Sequence, residues 1–206
     1  EQGLRELLDE EDPELRLRTV ETLVHRGDPQ LIRWNVDDKF ELIIAKSRFP
    51  MIYVTQTGLP RIIVLGTNLE IVRPLTLQAW SNSLLVRESE VDESLLEVRY
   101  APDDGRPPVL LETSPQVASF VDFLAHRETP EEPRQGLDLS YGRTVGALHA
   151  LWRQSYLDVD FKAEQDRLLA AIQRLSIESG VLERPEFEVG GESAEPSPYL
   201  DPLTAQ

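Results

Sequence analysis

The chain has 206 residues and a mass of 23.4 kDa, with 40% apolar and 28% charged side chains, which suits one ordinary domain, or two small ones, with a real core. Its 37 acidic and 21 basic residues give a net charge of −16, which argues against general binding to nucleic-acid phosphates or to anionic lipid. It has no cysteine, so disulfides, thiol catalysis and Cys-ligated zinc are excluded.

In chain order, residues 3–26 predict a helical pair. Leu4, Leu7 and Leu8 stand at helical spacing before an acidic break at residues 9–13. Asp12 is a natural N-cap, and Pro13 suits the first helical position, where its missing N–H costs nothing. Leu15, Leu17, Val20, Leu23 and Val24 then form an apolar stripe that Gly27 ends, and Asp28-Pro29 offers a further helix start. This rhythm resembles one HEAT-type unit, a short helix, an acidic Asp-Pro turn and a second helix. One unit cannot bury its own face. It either packs on the β region C-terminal to it or ends an array that is no longer attached. Residues 1–38 are therefore taken as a HEAT-like helical pair.

Residues 39–127 predict a β domain with a closing helix. Eight short segments rich in Val, Ile, Leu and Tyr lie between residues 40 and 114: FELIIAKS, MIYVTQT, PRIIVLG, LEIV, LTLQAW, SLLVRES, LLEVRYA and PVLLETS. Leu84, Val86 and Glu88 alternate with Leu85, Arg87 and Ser89, whereas PRIIVLG is apolar throughout, as a strand covered on both faces would be. Six to eight strands so close together imply an antiparallel β sandwich or open barrel. Ile43, Ile52, Val54, Ile62, Val64, Leu77, Leu85 and Val98 are expected in its core. Ser114 and Pro115 open the closing helix, with Val117, Phe120, Val121 and Leu124 on its stripe. Residues 128–136 are a polar, Pro-rich connector expected to be exposed.

Residues 137–178 predict a C-terminal helical pair packing on the β domain, with helices at about 141–156 and 163–178. Residues 179–206 are acidic and poor in apolar side chains, and are expected to be a disordered tail. The fold class is thus α+β, with the β region flanked by the N-terminal pair and the C-terminal helices.

Little in this sequence carries chemistry. His25, His126 and His149 lie on three different predicted helices, none at metal-ligand spacing, and read as capping or surface residues. Asp103-Asp104 and Asp158-x-Asp160 are tight acidic pairs without the continuation of a calcium loop, so they read as turn residues. No nucleophile elbow, phosphate loop or dinucleotide fingerprint occurs. Trp152 and Tyr156, four residues apart, are expected to seal a helix against the sheet. Arg48, Arg61, Arg73, Arg87 and Arg99, interspersed with Glu41, Glu70, Glu88 and Glu97, read as a mixed solvated face that also protects sheet edges. No catalytic, cofactor-binding or metal-ligating residue is assigned, and no cofactor is expected.

The chain begins at Glu1 with no charged-then-apolar leader, and reads as a mature form or a piece of something longer. No apolar run is long enough to cross a membrane, so no membrane insertion is expected. The element order, together with Pro50, Met51, Val54, Pro60, Ile62, Gly66, Tyr141, Val145, Leu148 and Leu157, resembles the C-terminal extension of long, planctomycete-type flagellar P-ring proteins. The resemblance would cover about residues 3–162. It implies a non-catalytic structural or interaction module of the bacterial envelope. Its partners would be ring subunits or other envelope proteins, or copies of itself through an absent ring-forming body. It implies a periplasmic or envelope location, with no nucleic acid and no cofactor. Two alternatives stand beside it: a general adaptor using the helices or a sheet edge, and a hydrolase with a site built from distant residues. The expected contact surface is the exposed edge of the 1–38 pair, through outward leucines.

Overall fold

The computed structural model describes residues 2–66 and 68–165. The chain divides into two units, Glu1–Leu169 and Ala170–Gln206, and the second lies outside the described residues. So do the tail at 179–206 and nearly all of the helix expected at 163–178. The described part is α+β with two sheets and four helices, and neither sheet is a closed barrel.

The N-terminus forms α1 (Gln2–Glu6), a 3-10 turn (Leu7–Asp9) and α2 (Pro13–Arg26). The predicted signals operate as read. The Asp12 carboxylate accepts the Glu14 N–H at 2.9 Å, Pro13 opens α2, and Gly27 ends it at φ 65°. Residues 28–38 depart from the expected helical pair, because Ile32–Val36 is strand β1. The β-branched and aromatic run IRWNV pairs with the strand after it, and this outweighs the helix start at Asp28-Pro29.

Seven of the eight predicted segments form strands: β2 (Phe40–Ala45), β3 (Met51–Thr55), β4 (Arg61–Leu65), β5 (Thr76–Ala79), β6 (Leu84–Glu88), β7 (Leu96–Tyr100) and β8 (Val109–Thr113). The exception, LEIV, makes only an isolated bridge, Glu70 to Gln116. Helices α3 (Val117–Ala125) and α4 (Tyr141–Arg153) come next, and β9 (Asp160–Ala163) stands where the last predicted helix would begin.

The strands form two sheets, a four-stranded β5-β6-β7-β8 and a five-stranded β1-β2-β4-β3-β9. The first is antiparallel throughout, as expected. The second corrects the antiparallel reading, since β2 pairs with β4 in parallel and β3 with β9 in parallel. Residues 46–50 carry the chain past the next position in the sheet. The β3–β4 hairpin then returns β4 between β2 and β3.

The five-stranded sheet is covered on both faces. Leu42, Ile52, Val54, Ile62 and Val64 share one core with α3, α4 and the inner residues of the four-stranded sheet. Ile43, Ala45, Met51, Tyr53, Ile63 and Leu65 pack instead against Leu17, Val20, Leu23 and Val24 of α2. The helical pair therefore packs on the β domain. Each apolar β4 side chain is buried, a contribution of roughly 1.5–3 kcal/mol apiece. Of the expected core residues only Leu85 is misplaced. Leu84 and Val86 are fully buried, and strand alternation turns Leu85 to the outer face, where it is half-buried.

Candidate functional site

Three cavities stand out among the described residues. One, about 770 Å³, lies beside the N-terminal helices and β1, where Leu8, Leu23, Leu31 and Ile32 meet Asp28 and Lys46. The Arg5 guanidinium donates to both Asp28 oxygens at 2.8–3.2 Å. That pairing, helped by the Gln30 N–H, holds the Asp28 carboxyl below the ordinary carboxylate range. A second cavity, about 400 Å³, is lined by Glu21, His25, Tyr53, Thr55, Arg61 and Glu164. Here the Tyr53 hydroxyl donates to Glu21 at 3.0 Å, while the buried Thr55 Oγ1 has no hydrogen-bond partner.

The third cavity, also about 400 Å³, adjoins a cluster of polar side chains. The β1–β2 turn places Asp37 and Asp38 at φ 48° and 55°, in the left-handed region that a type I′ hairpin turn requires. Asp38 accepts from the Asn35 amide at 2.6 Å. Asp37 Oδ2 accepts the Arg127 N–H and stands 3.4 Å from His126 Nδ1. His126, the C-cap of α3, is 2% exposed, and its Nε2 lies 3.4 Å from the Glu132 carbonyl oxygen. Lys39 and Arg127 both bind Asp138, at 2.6 and 3.0 Å. Burial pushes the Asp138 carboxyl up, but these two hydrogen-bonded cations outweigh it and hold it below its usual value. Arg134 binds Asp122 at 2.5 Å and Glu132 at 3.3 Å.

The connector 128–136 is mostly exposed, as expected, but it is anchored at both ends. Thr129 N–H donates to the Glu132 carbonyl, and Leu137 and Leu139 donate to Phe123 and Leu124 of α3. Gly136 passes so close to His126 that a Cβ would stand 2.2 Å from its carbonyl oxygen. Only glycine fits there.

The three histidines are not brought together. His25 and His149 are exposed, and His126 is buried, which corrects the surface reading for that one residue. Trp152 and Tyr156 do not pair either. α4 ends at Arg153, Trp152 lies 37% exposed against His149 and Phe161, and the Tyr156 hydroxyl donates to the Thr76 carbonyl at 3.2 Å. Asp103 binds Arg143, Asp104 binds Arg106 at 2.8 Å, and Asp160 binds Arg16 at 2.5 Å. Two of the five arginines form cross-strand pairs with glutamates: Arg61 with Glu41 at 3.0 Å and Arg87 with Glu97 at 2.5 Å. The outward leucines expected on the helical pair are not there, because Leu8, Leu17 and Leu23 are buried and Leu4, Leu7 and Leu15 half-buried.

Two residues carry structural roles that sequence reasoning missed. Arg16, 1% exposed, reaches the Glu10 carbonyl at 3.1 Å and Asp160, and lies over the Phe49 ring, tying α2 to β9. The Tyr141 hydroxyl donates to the Thr55 carbonyl at 2.7 Å, and its burial pushes its pKa well above the phenolic value. The signals were faint, a lone Arg in an apolar stripe and a Tyr beside a helix cap. Compared with protein-family models, with curated proteins and with solved structures, the chain finds no match in any of the three.

Proposed function

We propose that this chain is a non-catalytic interaction module that binds protein partners, ring subunits or other envelope proteins, through a sheet edge. The observation that carries this reading is the outer edge of β8. Val109 and Leu110 are exposed there, 38% and 59%, and among the described residues no strand pairs with that side. An unpaired edge with exposed apolar side chains accepts an extended segment as an added strand. The chain's −16 charge favours a segment that alternates apolar and basic residues. The partner class comes from the likeness to the flagellar P-ring extension, as does a place in the bacterial envelope. In the same reading the N-terminal helices are one HEAT-like unit. The two sheets, which share a core, are the layers of a sandwich.

The test is retention of detergent-extracted envelope proteins on the immobilised chain, with L110K as the comparison. The expected result is a defined envelope protein held by the wild type and lost with L110K. Equal retention by both, or capture of cytoplasmic proteins alone, would overturn the envelope reading. The latter result would leave the general adaptor.

A further inference from the structure

We propose that Asp37, His126 and Glu132 form a divalent metal site of the zinc class, which ties the connector after α3 to the β1–β2 turn. One ligand atom from each of these residues lies within 4.8 Å of the other two. The spacing between Asp37 and His126 suits two ligands of one metal ion. Asp37 Oδ2 and His126 Nδ1 are 3.4 Å apart, longer than the usual range for a charged N–H···O bond. Two donors on a tetrahedral zinc, each about 2.0–2.1 Å from it, stand roughly 3.3 Å apart.

The imidazole is set up for this role. It is buried, with Nδ1 facing Asp37 and Nε2 lying 3.4 Å from the Glu132 carbonyl oxygen. A ligating histidine commonly spends its second nitrogen on such a carbonyl, which fixes tautomer and ring angle. The carboxylate on the other side is also supported, because Asp37 Oδ2 accepts the Arg127 N–H. Glu132 is held by its own turn, its N–H donating to Thr129 Oγ1 at 3.1 Å.

The local charge asks for a cation. Asp37, Asp38, Asp122, Glu132 and Asp138 gather here against Lys39, Arg127 and Arg134. Lys39 and Arg127 are committed to Asp138 and Arg134 is shared between Asp122 and Glu132, so the five acids outnumber the three cations of the cluster. An imidazole with two carboxylates suits zinc among the common divalent ions. Three protein donors leave one position for water, and Asp37 and Glu132 both line the adjoining cavity.

The experiment uses the full chain, stripped with a chelator, titrated with zinc chloride by calorimetry and followed by thermal melting. One zinc per chain is expected, with a Tm that rises as zinc is added. D37N and E132Q, both at exposed positions, should weaken binding at least ~10-fold and lose the Tm rise. E131Q, at the adjacent exposed acid, should bind as the wild type does. Cobalt(II) should give the visible absorption of a tetrahedral site in the wild type and lose it in D37N. No zinc binding up to about 1 mM, a contact too weak to hold a loop, would overturn the proposal. So would equal isotherms in wild type, D37N and E132Q, which would mean adventitious surface binding. Melting of both variants without metal, close to the wild-type Tm, shows that the loss is not unfolding.

Discussion

The two sheets solve the same problem differently. The five-stranded sheet lies under helices α1 and α2 on one face and shares a core with α3, α4 and the second sheet on the other. Its central strands are therefore apolar at nearly every position. The four-stranded sheet buries one face, and its strands alternate. On its outer face Arg87 meets Glu97 across the strands, and Leu85 meets Arg99. Continuous apolar strands and alternating strands in one chain are thus the imprint of two-sided and one-sided cover.

The sharpest way to break this comparison is one charge placed in each sheet. Ile63→Lys puts an ammonium between β4 and α2, and should abolish cooperative unfolding at a cost above about 4 kcal/mol. Leu85→Lys, on the outer face of β6, should change stability by no more than about 0.5–1 kcal/mol. Urea denaturation measures both. Similar losses would mean that the outer face of the second sheet is covered after all.

Phe120→Ala tests whether the sheets share one core through α3. The ring is fully buried, so truncation should cost about 3–5 kcal/mol and lower the melting of both sheets together. Separate transitions would mean two cores. Arg16→Met probes the helix side alone. It keeps the apolar stem but leaves the Glu10 carbonyl and Asp160 without their donor, a loss of about 1–3 kcal/mol. Hydrogen exchange should then rise in α2 and β9 and stay unchanged in β5–β8.

The smallest effect is set by pH. The Asp28 carboxyl is depressed by Arg5, so its contribution is complete above the unfolded value, near 3.8, and is lost as pH falls through the lower folded value. The stability difference between wild type and D28N should therefore be constant above about pH 5 and shrink toward pH 2. A difference that grew on acidification would mean that Asp28 is protonated more readily in the folded state.

These contrasts also explain what could be read from the sequence. α2 was legible to the residue because its signals are local: Asp12, Pro13 and Gly27 act within one turn of where they stand. The strands β2–β8 were legible from apolar runs and turn residues. Sheet order was not, because the parallel pairing of β2 with β4 depends on a five-residue crossover, and nothing at residues 46–50 states its direction. Leu85 shows the limit of alternation, which separates two faces without naming the inner one. The cluster at His126 was illegible for a similar reason. Its partners lie six and eighty-nine positions away, Glu132 on a connector that reads as solvated and Asp37 in a turn.

The last strand has a consequence for the order of synthesis. β9 pairs with β3, so from the time Thr55 is made until about a hundred residues later, the strand MIYVT has a bare edge. Its five residues are all buried in the finished fold, which makes it the stretch most prone to pair with another chain. A chain ending at residue 155 should aggregate where the full chain does not, and a synthetic peptide DFKA flanked by its natural neighbours should slow that aggregation. The four residues Asp160–Ala163 thus work as a late-arriving seal, and the growing chain is most vulnerable just before they emerge.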